Sequence, residues 1–229
     1  MTAPAAQEAS RGPEGAHGPA GADSRRGRTR ERLLDAAYDV FAEQGVHVAT
    51  VEQITERAGF TRGAFYSNFT TKEELFFALM ERENGLRTAT LREQLEVLQP
   101  RIEAALAAHD DVALGEVILD LFVGPFDDRR WCLVQGEFKM LAMRDRAVAS
   151  QLLADQGRFA TSLLPVLERA IEQAGREFVL DTAATLQLLS SVYEDALEAS
   201  ILAGQDARDT ERLRTDLART VLVLTRPRA

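Results

Sequence analysis

The chain has 229 residues, 45% of them apolar, a net charge of −9 and one cysteine, Cys132. That length and apolar share suffice for one large helical or mixed domain or two small ones, while a lone cysteine excludes an intramolecular disulfide framework and a multi-cysteine zinc site. No apolar run reaches the ~18 residues a membrane span needs, and the N-terminus lacks the charged-then-apolar layout of a signal peptide, so a soluble, cytoplasmic protein is expected.

The first 24 residues, "MTAPAAQEASRGPEGAHGPAGADS", are rich in Ala, Gly and Pro and carry no hydrophobic period; they read as a disordered tail over 1–24. From Arg28 the pattern changes. Leu33, Ala37, Val40 and Phe41 recur at helical spacing and Gly45 closes that helix. Thr50 followed by Gln53 has capping-box spacing and opens a short second helix that Gly59 stops. Thr61 caps a third helix expected to run through Phe69, and a second capping box, Thr71 to Glu74, opens a fourth that Pro100 ends at the latest.

Beyond it, apolar residues recur at three and four, with breaks expected at "GPFDD", near Gly157, at "AGREFVLD" and at "AGQDARD". An all-α fold follows: a three-helix helix-turn-helix domain over 25–72 and a larger helical domain over 73–229. Charge follows the same division. Residues 1–72 hold nine basic and nine acidic side chains, so the entire net charge falls after residue 72, and five arginines crowd positions 25–32. A local basic face can therefore coexist with an acidic body.

Phe60, Phe65 and Phe69 are spaced to reach back onto the first and fourth helices, making the third a rigid probe whose outer face carries Thr61, Arg62, Gly63, Ala64 and Tyr66. From Arg28 to Glu81, through "LLDAAYDVFAEQG" and "ATVEQITERAGFTRGAFYSNFTTKEELF", the chain resembles the tetracycline-repressor (TetR) family of bacterial transcription regulators. "EFKMLAMRD" at 137–145 is similar to a segment of one of its subgroups.

The resemblance implies a DNA-binding regulator. Thr50 would meet a phosphate, Thr61, Arg62, Gly63 and Ala64 would enter the major groove, and Tyr66 and Lys72 would grip phosphates on either side. Asn68, a further candidate for DNA contact, stands where relatives often have an aromatic or histidine. Arg28, with Arg25 and Arg26, would form an arm toward the adjacent backbone or minor groove. For each there is a plainer reading: Thr50 and Thr61 as helix caps, Tyr66 as a core aromatic, the arginines as a solvated tail.

One such motif makes few base contacts, so a homodimer on a palindromic operator of double-stranded DNA is expected. The resemblance supplies its interface from the C-terminal helices, with Leu186, Leu189, Tyr193, Leu197, Leu213, Leu217, Val221 and Leu224 as candidates; the same side chains would suit the protomer's own core. A small-molecule effector, apolar or aromatic, would sit among Phe122, Phe126, Trp131, Phe138 and Phe159. His17, His47 and His109 stand apart from any nucleophile, base or metal-ligand grouping, so neither catalysis nor a metal or cofactor is expected. The competing reading is a helical binding or scaffold protein of the same fold without operator affinity.

Overall fold

The structure of the protein, a computed structural model, describes residues 20–108, 110, 113, 116, 117, 120, 129–205 and 211–228, without the side chains of 20–24, 106, 211–215 and 218. Among these residues it is helical apart from one small strand pair. Helix α1 spans Ala20–Gln44. It begins earlier than expected, inside the stretch read as a disordered tail. Arg26 ties this extension down, its Nη2 donating to the Ser67 carbonyl at 3.0 Å; residues 1–19 lie outside the described residues.

Gly45 closes α1 with φ of 90°, a region where a side chain is strained. Helix α2 (Val51–Ala58) opens on the capping box: the Gln53 amide donates to Thr50 Oγ1, while Gln53 Oε1 accepts from the Thr50 amide. Gly59, at φ 69°, ends it in the left-handed conformation. Helix α3 covers only Arg62–Tyr66, short of the expected Phe69. Ser67 Oγ and Asn68 Nδ2 both donate to the Ala64 carbonyl, at 2.9 and 2.8 Å, and such local side-chain bonds compete with continued helix.

Helix α4 (Lys72–Ala108) passes through Pro100 instead of stopping there. Pro100 and Glu96, whose carbonyl loses its usual donor, are both exposed, so water can replace the missing bond, while Ile102 and Ala105 beyond the proline are buried and hold the helix on the core. Helix α5 (Arg129–Ala142) is followed by α6 (Arg146–Gln173), which is capped by Asp145 and runs unbroken through Gly157. A side chain at Gly157 would meet nothing; packing of Leu152, Leu163 and Leu167 on either side outweighs the glycine's weak local preference. Strand β1 (Arg176–Phe178) leads to α7 (Thr182–Leu202), capped by Asp181, and α8 (Glu211–Leu224) runs into β2 (Thr225–Pro227), which pairs antiparallel with β1. The break expected at "GPFDD" lies outside the described residues, as does most of "AGQDARD".

Helix α1 packs on α2, α4 and α5; α4 packs on α6, α6 on α7, and α7 on α8. Two main hydrophobic cores result. The first joins α1–α3 and the start of α4 to α5: Phe41, Phe65, Phe69, Phe76 and Phe138 are fully buried. Phe76 stacks face to face on Phe138 with centroids 3.4 Å apart, and Phe77 meets Phe138 edge-on at 5.1 Å. Each such aromatic pair adds about 0.5–1.5 kcal/mol beyond area burial. The second core lies between the far half of α4, α6, α7 and α8, and includes Leu95, Leu167, Ile171, Leu189 and Val221.

Candidate functional site

The short helix α3 is fixed from behind. Phe65 and Phe69 are 0% and 2% exposed. Three of the five clustered arginines brace the turn rather than extend from it: Arg30 lies over the Phe69 ring and Arg32 over the Phe60 ring, both at 4.6 Å, and Arg32 Nη2 donates to the Ala58 carbonyl at 2.7 Å. With Arg26 on Ser67, these cations clamp the chain on both sides of α3 onto α1. The expected arm of Arg25, Arg26 and Arg28 is thus a stretch of α1 itself, with Arg25 and Arg28 exposed on it. The i, i+4 spacing of Arg26 and Arg30 was the available signal for the clamp.

In front, Thr50, Thr61, Arg62, Gly63 and Tyr66 are all exposed, and Ala64 is half-buried. Thr50 and Thr61 do cap their helices, accepting from the Gln53 and Ala64 amides. Gly63 has ordinary backbone geometry, and a Cβ there would meet only Thr61 Oγ1 at 3.6 Å, an ordinary contact. Nothing among the described residues requires a glycine there. Arg62 pairs with Glu52 at 2.7 Å and lies 5.9 Å from the Tyr66 ring. The Tyr66 hydroxyl, then the Glu52 charge, raise its pKa further. Glu52 gives no signal of this pairing in the sequence: to meet a base, Arg62 must leave it.

Asn68 faces inward in part, its amide spent on Ala64 and Ser67. Lys72 departs more sharply from expectation. Its ammonium donates to the carbonyls of Val46, His47 and Ala49 at 2.7, 3.3 and 2.8 Å, which uses its three protons on the chain's own α1–α2 connector. Burial lowers its pKa. In this structure Lys72 therefore positions the residues that lead into Thr50. From the opposite side Glu137, on α5, accepts the Val46 amide at 2.5 Å, so the connector is held at both edges.

The interface candidates also need correction. Leu186, Leu189, Leu197, Leu217, Val221 and Leu224 are between 2% and 9% exposed within the single chain and Tyr193 is half-buried; the Leu213 side chain lies outside the described residues. Their helical period marks a buried face, and that face is turned into the protomer. Five of them, Leu186, Leu189, Tyr193, Leu197 and Leu217, line a cavity of about 110 Å³. Of the ligand candidates, Trp131 and Phe159 line the same cavity. Phe138 does not; it belongs to the first core, stacked on Phe76. Phe122 and Phe126 lie outside the described residues. Arg87, unremarked in the sequence, also lines the cavity, with its guanidinium 4.4 Å from the Trp131 ring.

A helix-turn-helix braced from behind, with two exposed helix starts and an exposed arginine on the second, defines a DNA-binding protein of the helix-turn-helix class. The family model described as bacterial regulatory proteins, tetR family, matches residues 33–79. The chain is 38% identical over 189 residues to the transcriptional repressor AcnR of Corynebacterium diphtheriae, covering 80% of this chain and 85% of that one. It is 30% identical over 181 residues to AcnR of Corynebacterium efficiens, covering 76% and 92%. Among solved structures, the regulator FadR of Bacillus subtilis in complex with stearoyl-CoA shares the fold with a TM-score of 0.59 at 16% identity, covering 85% of this chain and 97% of that one. The chain belongs to the TetR family and is a DNA-binding transcriptional regulator.

Proposed function

We propose that the protein is a ligand-responsive repressor of the cytoplasm that binds a palindromic DNA site as a homodimer and is released by a small effector with an apolar or aromatic body. The observation that carries this reading is the exposed row Thr61, Arg62, Gly63 and Tyr66 on a helix whose other side, Phe65 with Phe69 below, is locked into the core. A rigid helix of that kind can dock in the major groove, with Arg62 on guanine and the exposed helix starts on phosphate. In the dimer, the outer face of α7 and α8 is the surface for a second copy: Leu188, Leu202, Leu222 and Val223 are exposed there, beside a groove lined by Ser191, Asp195, Asp216 and Arg219. The relatives named repressors and the ligand in the neighbouring fold support the direction of control and the use of the cavity.

The test is binding of purified protein to promoter fragments across a salt series. Affinity for one palindromic fragment should fall steeply as salt rises. Arg62→Ala should weaken that binding roughly 5- to 150-fold and relax preference at one position of each half-site. Equal binding to all fragments, unchanged by Arg62→Ala, would favour the scaffold reading.

A further inference from the structure

The side chain of Arg87 is 7% exposed, yet its hydrogen bonding is incomplete. Its contact with Glu83 is long, Nη1 to Oε2 at 3.4 Å, and its Nε has no hydrogen-bond partner. Glu83 is shared: its other oxygen accepts from Nε and Nη2 of Arg82 at 3.3 and 3.0 Å. Arg82 in turn also reaches Asp35 at 2.7 Å and Glu31 at 3.2 Å on α1. Three carboxylates thus surround Arg82, and Arg87 has part of one. A guanidinium out of water with an unmet donor is costly unless an anion completes it.

Arg87 borders the cavity, whose apolar wall includes Leu163, Leu186, Leu189 and Leu217 with the Trp131 and Phe159 rings, and whose neutral polar lining is Gln135, Ser190 and Tyr193. The other charged groups on its wall are Lys139, Glu194 and Glu198. Lys139 and Glu194 neutralise one another at 2.7 Å and are 33% and 48% exposed, and Glu198 is exposed, so solvent and salt screen them. Among the lining residues Arg87 is the buried charge, and Glu83, which offsets part of it, is shared with Arg82.

We propose that Arg87 anchors the carboxylate of a ligand whose apolar body fills this cavity. A carboxylate matches the planar fork of a single guanidinium and its unit charge. A phosphate dianion would need more donors than this one buried cation supplies, and a cationic ligand would bring a like charge toward Arg87. The proposal rests on the reading of the chain as a ligand-responsive regulator, but its test contains no DNA, so failure of the ligand assignment and failure of the operator assignment are read separately.

Trp131 is the sole tryptophan and touches the proposed anchor, so its fluorescence reports on this site alone. The full chain is titrated with 3-phenylpropanoate, 3-phenylpropanamide and 3-phenylpropylamine, which share one body and differ in charge. The carboxylate should shift Trp131 emission saturably, with the amide and the amine at least about tenfold weaker. Arg87→Met, which keeps the volume and loses the charge, should remove the carboxylate preference and leave the amide unchanged. Should that variant not fold, Arg87→Lys decides: the carboxylate affinity should fall about tenfold with the amide unaltered. The proposal is overturned if the amine equals or exceeds the carboxylate, if millimolar carboxylate gives no response, or if the preference survives loss of the Arg87 fork.

Discussion

The helix-turn-helix head and the cavity each carry a cation drawn into the fold, the half-buried Lys72 at the start of α4 and the buried Arg87 further along the same helix, and the two are treated in opposite ways. Lys72 meets three carbonyls of the α1–α2 connector. Arg87 has one long contact with a carboxylate already held by Arg82, a ring face, and a bare Nε. In the head, charge is consumed in fixing geometry. In the cavity, charge is left under-satisfied, which is the condition for a site that gains by receiving something.

The contrast can be broken by substitution. Lys72→Met removes three bonds, two of them to part-buried carbonyls, and should lower stability by about 2–3 kcal/mol in a denaturant titration, with faster amide exchange over residues 46–49. Next, Gly45→Ala forces a side chain into φ 90° and against the Glu137 carboxylate; a loss of about 1–2 kcal/mol is expected by the same titration. Arg87→Met should sit within about 1 kcal/mol of the native chain, because Glu83 keeps Arg82 and an apolar residue suits the cavity wall. A loss as large as that of Lys72→Met would erase the difference between the two regions.

The smallest effect concerns acid. The Thr70 amide, which donates to Glu74 at 2.6 Å, is the main cause holding that carboxyl below its ordinary range. Its stabilisation is therefore complete above the ordinary carboxylate value and lost as pH falls through the lower folded value. Glu74→Gln should lower stability slightly at neutral pH and approach the native chain as pH falls through that window, flattening the acid limb of a stability-against-pH curve; an unaltered acid limb would show the bond to be idle.

What could be read from the residues divides by distance along the chain. The capping box at Thr50, the Thr71 hydroxyl on the Glu74 amide and the left-handed Gly45 and Gly59 are local, and the starts of α2 and α4 and the ends of α1 and α2 follow from them. Pro100 and Gly157 predict local stops, but packing on both sides of each carries the helices through. Partners of Lys72 and Glu137 lie 23–26 and 91 residues away, and no spacing rule reaches so far. The leucines of α7 and α8 show the same limit: a helical period announces a buried face but not whether a core, a cavity or a second chain covers it. Arg87 was overlooked because one arginine in a charged helix gives no periodic signal.

The stack of Phe76 on Phe138, together with Glu137 on the Val46 amide, sets a rule for engineering. A cut at residue 72 would strip the reading head of its floor and of the grip on its connector. An excised fragment should therefore fail to fold, and a transplant of DNA specificity between such chains must carry along the facing surface of α5 or exchange only the outward positions of α3.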